Sequence, residues 1–222
     1  MSHGALAMPT PGKIKLLVTG FGPFPGMHSN PSGDLLDPIE QRHIRLCPKV
    51  QLKTALIPAR WSAVEQFSSG TLAEFDPDIA LHFGVHSRAE SLRVESIARN
   101  CTCTQADASG ETAPRHCVID GAPQTLKSTL DTQRLVTELQ ARNLPAQSSM
   151  NAGRYICNAL LFSSLHHAEK RPSQRQTGFI HIPPLNGRGM DSMTLLKSAE
   201  IIISHCVGVH IHQALTKTGV GG

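Results

Sequence analysis

Cys157, His181 and Glu95 are the side chains whose types, taken together, suit a chemical step. Cys157 lies in the stretch NAGRYICNALLF, Asn151–Phe162, where a loop with Gly153 leads into an apolar run. Ile156, Leu160 and Leu161 recur at helical spacing, so the cysteine falls near the start of a helix. Unpaired N–H groups at a helix N-terminus favour negative charge, and a thiol placed there ionises more readily. His181 lies near the C-terminal end of the short apolar run TGFIHI, and Glu95 sits within LRVESIA. Each has an ordinary reading: a small buried cysteine, a core histidine, a carboxylate in a surface ion pair. Brought together they form a thiol hydrolase: the histidine takes the thiol proton, and the carboxylate fixes the ring's tautomer and orientation.

The elements that must position them follow from the pattern of apolar residues. Residues 13–19, KIKLLVT, read as a buried first strand that ends in GFGPFPGMHSNPSG. That loop holds Phe21, Phe24 and Asn30, and its glycines and prolines let backbone approach a ligand closely. Residues 50–57 read as a strand, 61–75 as an amphipathic helix with Trp61, Val64, Leu72 and Phe75 inward, and 79–83 as a strand. Strand, helix, strand at this length is a βαβ unit. Residues 92–98 read as one extended segment, 101–114 as loop, 125–130 as ambiguous, and 131–142 as a helix facing inward with Leu135, Val136 and Leu139. The cysteine helix, the basic stretch 170–175, the strand 177–182 and a closing helix at 190–209 complete the chain. The expected fold class is α/β, a three-layer α/β/α sandwich around an open, mostly parallel (mixed) sheet. Residues 1–12 are expected to be a loose tail, and 13–222 one domain. Ligands of such sheets gather beyond the carboxyl ends of the strands, where the first loop, Glu95, His181 and the cysteine helix are expected to meet.

Composition narrows the function. The 222 residues carry a net charge of +4 with scattered basic residues, and seven Phe, one Tyr and one Trp give no aromatic-basic stripe, so no nucleic-acid partner is expected. The basic stretch 170–175 is expected to be a solvated loop. Gly20-Phe21-Gly22 starts like a dinucleotide loop, but Phe24 and Pro25 stand where the third glycine belongs, so no cofactor is expected. No 18-residue apolar stretch and no leader are visible, so neither membrane nor export is expected. Six cysteines without dense spacing point to a reducing, cytoplasmic setting. His205, Cys206, His210, His212 and the pair Cys101, Cys103 are the metal candidates, but no HExxH and no second cysteine pair accompany them.

The sequence resembles the pyroglutamyl-peptidase I (pyrrolidone-carboxylate peptidase) family from about Lys15 to the last helix. GFGPF at 20–24 and NPS at 30–32 are similar to its opening loop, and VESIARN at 94–100 to the segment with its glutamate. Ser149–Asn158 resembles its nucleophile motif SxxAGxYxCN, and GFIHIP at 178–183 its histidine motif. The resemblance implies a cysteine peptidase with nucleophile Cys157, base His181 and orienting residue Glu95, needing no metal or cofactor. It implies peptides with an N-terminal pyroglutamate as substrates, with Phe21 (slightly favoured) and Phe24 near the flat lactam. Asn30 either contacts substrate or holds the loop as an Asx turn. The family holds monomers and tetramers, so a homo-oligomer is among the states implied. The turn before Glu95, GVHSRAES, lacks the paired glycines and usual arginine of bacterial members; Arg88 or Arg93 is a candidate to replace that charge. Val85, Ser96, Ser148 and Met150 also depart from the common pattern. The competing readings are a non-catalytic pyroglutamyl-peptide-binding or scaffold protein, a metal-dependent hydrolase, and a nucleoside binder with the same architecture.

Overall fold

Apolar residues occupy consecutive positions in the central strands, so both faces of the sheet need cover. The computed structural model describes residues 13–24, 26–27, 29–46, 49–170, 175–185 and 190–218, without the side chains at 43–46 and 217–218. The expected tail and residues 171–174 of the basic stretch lie outside these. The strands are β1 (Ile14–Phe21), β2 (Val50–Ile57), β3 (Ile79–Val85), β4 (Leu92–Glu95), β5 (Ile97–Arg99), β6 (Thr125–Lys127), β7 (Ala146–Ser149) and β8 (Gln176–Ile182). Six form the main sheet in the order β2-β1-β3-β8-β4-β7. All its neighbours run parallel except β4 and β8, which are antiparallel.

One face buries Leu16, Val18, Leu81, Phe83, Val94 and Ile180 under α2 (Leu36–Leu46), α5 (Thr132–Gln140) and α7 (Ser192–Thr218). The other buries Leu17, Phe21 and Phe179 under α3 (Trp61–Phe67) and α6 (Ile156–Ala168). The expected three-layer α/β sandwich is therefore the observed one. Asp131 caps α5 by accepting from the Arg134 N–H. α6 is apolar nearly all round because it lies between the sheet and α3.

Several local expectations are corrected. Residues 92–98 form two strands: β4 joins the main sheet, while β5 leaves it to pair with β6. The helix at 61–75 contains a π-helical turn, Ser68–Leu72, before the last turn α4 (Ala73–Phe75). There the Ser68 and Ser69 hydroxyls donate to the carbonyls of Val64 and Glu65, and Gly70 weakens the helix further. The short helix α1 (Pro31–Asp34), α2 and β7 were not read from the pattern. α7 runs well beyond residue 209, and Ser192–Thr216 is long and apolar enough to cross a bilayer, which corrects the expectation that no such stretch exists. Here Leu195, Ala199, Ile202 and Cys206 are buried in the core beneath the sheet. Arg175 is no solvated residue: it is buried and pairs with Asp76.

Gly20 fixes how closely α1 approaches β1. A Cβ there would sit 1.9 Å from the Ser32 carbonyl oxygen, in backbone that cannot rotate away. Gly20→Ala should therefore destabilise the fold by about 3 kcal/mol or more, measured by denaturant unfolding. A midpoint equal to that of the parent would refute the packing assigned here.

Candidate active site

Strand register decides which side chains share the α6 face. Thr19 pairs with His82, His82 with Phe179, and Gly84 with His181. Across the antiparallel junction Arg93 stands opposite His181 and Glu95 opposite Phe179. Residues directly opposite, and those two apart along a strand, point to the same face. The His181 and Glu95 side chains thus meet, with Nδ1 and Oε1 2.8 Å apart. Both residues are buried, and Glu95 has no exposed surface. A carboxylate acceptor selects the tautomer with hydrogen on Nδ1 and leaves Nε2 toward the pocket that His181 lines. Phe179 packs against the imidazole with centroids 4.7 Å apart. Because β4 runs against β8, Glu95 lies beneath the strand ends rather than among them, which corrects the expected placement.

Cys157 is the second residue of α6. Gly153, at φ +81°, makes the turn that brings the chain to the helix start. The sulfur rests on β3: a Cβ added to Gly84 would lie 3.3 Å from it. Gly84 is the register partner of His181, so the thiol is set against the strand pair that carries the imidazole. Tyr155, at the N-cap of α6, makes no side-chain cap. Uncapped first-turn N–H groups suit an oxyanion. The easy ionisation expected from the helix start is opposed by the surroundings of this thiol. Burial, then the Glu95 charge, push its pKa up from 9.0 to about 12, against a smaller lowering by its own backbone N–H.

Cys157 and His181 line a pocket of about 440 Å³ at the carboxyl ends of β1, β3 and β8. Phe21 and Phe24 both line it. Phe21 is buried and packs on Phe179 at 6.4 Å, while Phe24 is 40% exposed at the rim. Asn30 also lines the pocket, and its amide holds the loop: Oδ1 accepts from the Ser32 N–H and hydroxyl, and Nδ2 donates to the Gly22 carbonyl. Arg88 lines the pocket, whereas Arg93 donates to Ser149 Oγ and lies 3.3 Å from His86 Nε2. A roomier hollow of about 520 Å³, at the other end of β8, contains none of the three reactive side chains.

Sequence reasoning missed the residues that build the pocket wall. Asn158, fully buried, accepts from the Arg99 N–H and donates to the carbonyls of Arg99 and Cys101. It ties β5 to α6 directly behind Cys157. Asp107 gathers hydrogen bonds from the backbone N–H groups of Trp61, Ser109 and Glu111 and from the Ser109 hydroxyl. The Tyr155 hydroxyl and Trp61 Nε1 donate to the carbonyls of Ala106 and Gln105, fastening the same loop. The signal for Asp107 was its place at the head of Asp-Ala-Ser-Gly in a loop, an Asx-turn position. Of the metal candidates, His205 pairs with Glu138, and among the described residues no group of three or more His, Cys, Asp or Glu side chains is arranged to hold an ion.

The family model for pyroglutamyl peptidase (peptidase C15) matches residues 14–214. The chain is 32% identical to the pyrrolidone-carboxylate peptidase of Pyrococcus furiosus over 171 residues, covering 77% of this chain and 81% of that protein. It is 33% identical to pyrrolidone-carboxylate peptidase 2 of Caldanaerobacter subterraneus over 178 residues, covering 78% and 82%. Its fold superposes on the crystal structure of the Pyrococcus furiosus pyrrolidone carboxyl peptidase with a TM-score of 0.81 at 27% identity, covering 89% and 100% of the two chains. The chain therefore belongs to the pyroglutamyl peptidase family, a class of cysteine-type peptidases.

Burial opposes the ionisation of Asp107, but its hydrogen bonds outweigh burial and lower the pKa from 3.8 to about 2. A depressed carboxylate pKa adds stability above the unfolded value, and that contribution is lost as pH falls through the folded one. Asp107→Asn should therefore lower the melting temperature at pH 7, with the gap to the parent closing between about pH 4 and pH 2. A gap of equal size at pH 7 and pH 2 would contradict this account.

Proposed function

We propose that this protein hydrolyses the amide bond after an N-terminal pyroglutamyl residue, with Cys157 as nucleophile, His181 as general base and acid, and Glu95 as the orienting carboxylate. The observation that carries the reading is the buried 2.8 Å pair of His181 and Glu95 beside a pocket that also holds Cys157. Family membership and the names of the relatives support the substrate. The pyroglutamyl lactam is flat and uncharged, suited to the aromatic faces of Phe21 and Phe24. His181 Nε2 takes the thiol proton as sulfur attacks the carbonyl carbon. Burial and the Glu95 charge hold the thiol's pKa up, so we propose that its proton passes to His181 as the sulfur attacks. First-turn N–H groups of α6 receive the oxyanion. The C–N bond breaks, His181 gives its proton to the leaving amine, and a thioester remains. Water, deprotonated by His181, then releases pyroglutamate and restores the thiol. Each turnover starts from a reduced thiol, so we place the enzyme in a reducing compartment such as the cytoplasm.

The test is hydrolysis of a pyroglutamyl chromogenic amide, with prolyl and free glutamyl amides as controls. Cys157→Ala and His181→Ala should each reduce kcat by roughly three orders of magnitude or more with an unchanged circular dichroism spectrum. Glu95→Gln should cost about two orders less than Cys157→Ala, because it orients rather than reacts. Full turnover in Cys157→Ala would remove the proposed nucleophile. Binding of a pyroglutamyl peptide by the wild type without cleavage would favour the non-catalytic reading instead.

Gly84→Ala offers an independent check on the geometry. The added methyl would meet Phe179 at 2.7 Å and the sulfur at 3.3 Å. A shift of the thiol by about 1 Å should lower kcat by about 100-fold. Retention of full kcat would mean that the sulfur does not work from its place on β3.

A further inference from the structure

The pocket mouth carries charge of one sign. Arg88, in the loop after β3, and Arg154, in the turn before α6, both line the pocket and are exposed. These two segments flank Cys157, the first through Gly84 and the second three residues before the nucleophile. Among the described residues no Asp or Glu lines the pocket. Among the described residues neither guanidinium pairs with a carboxylate, although other arginines of the chain do. Glu95 is fully buried and faces His181, so it does not cancel them.

A pyroglutamyl residue has no charge to meet these groups, and its lactam suits the aromatic inner part of the pocket. The leaving peptide must occupy the mouth. Guanidinium groups offer a planar fork that fits a carboxylate. We infer that Arg88 and Arg154 determine specificity on the leaving-group side, selecting pyroglutamyl peptides that carry a carboxylate next to the cleaved bond. That carboxylate is either an acidic side chain or the free C-terminus of a dipeptide. The same charges repel peptides with a protonated N-terminal amine. The inference rests on the proposed peptidase reading and assigns its substrate class.

Two pairs of substrates test it: pyroglutamyl-glutamate amide against pyroglutamyl-glutamine amide, and pyroglutamyl-alanine against its amide. The expected kcat/KM ratio, acid over neutral, is about tenfold in at least one pair and falls with added salt, because exposed charges are screened. Preference in the first pair assigns the acidic side chain, and in the second the free terminus; either supports the inference. In Arg88→Gln/Arg154→Gln the ratio should fall toward one, and in the Arg→Lys double variant it should largely return. Calorimetric binding of the four compounds to Cys157→Ala reads the same preference as a ratio of Kd without turnover. Absence of hydrolysis with a preserved Kd ratio would count against the peptidase mechanism alone. A ratio near one in both pairs, or one unchanged in the glutamine double variant, would overturn the inference.

Discussion

A carboxylate with no exposed surface is tolerated inside a sheet only when a partner meets its charge, because an isolated buried ion is very costly. Glu95 meets that condition at one oxygen: Oε1 faces His181 Nδ1, while the buried Oε2 has no hydrogen-bond partner among the described residues, and much of the architecture follows from keeping the two side chains together. They come from segments 86 residues apart. Their side chains meet because β4 joins β8 in the antiparallel sense, which sets Glu95 two positions along from the residue facing His181. A parallel neighbour in that place would need a different register to bring the same groups into contact. The one antiparallel junction of the main sheet is thus where the imidazole is held.

The nucleophile is governed by two opposed effects. The start of α6 supplies N–H groups that favour a thiolate. Enclosure and the Glu95 charge act the other way and prevail. Glu95 therefore has two consequences: it orients His181, and it raises the cost of a thiolate nearby. Such an arrangement keeps the thiol protonated until the imidazole can receive its proton. His82 shows the same influence of burial on the same face. Its ring lies under α6 with Nδ1 2.8 Å from the Thr19 hydroxyl, and burial lowers its pKa to about 3. That neutral ring packs on Phe179, the same side chain that packs against His181.

The pocket owes its shape to glycine and to irregular chain. Gly84 lets the sulfur settle on β3, and Gly20 lets α1 close over β1. The wall opposite comes from residues 100–122, which have almost no regular structure and are held by buried polar anchors instead. Asn100 donates to the carbonyls of Ile119 and Ala122 and accepts from the N–H groups of Val118 and Ile119. Asp107 and Asn158 do the same for the loop's other turns. A wall built this way keeps its backbone groups satisfied without a strand or helix.

How far the sequence alone reached can be traced residue by residue. Apolar runs at 13–19, 79–83 and 177–182 marked buried strands, and with the helical periods between them they determined a layered α/β fold. The spacing around Cys157 placed it at a helix start, and the motifs singled out Glu95 and His181. The sequence could not show that 92–98 divides between two sheets, because alternation gives a strand but not its partner. Nor could it show the protonation of Cys157, since desolvation depends on what surrounds a group in space rather than along the chain. Asn30 remained ambiguous until its amide was seen holding the loop; Asn158 bonds partners 57 and 59 residues away, and Asp107 reaches the Trp61 N–H 46 residues away, contacts that no local pattern can show. Local pattern determined which elements form; register, burial and long-range hydrogen bonding, which exist only once the chain is packed, decided which side chains meet.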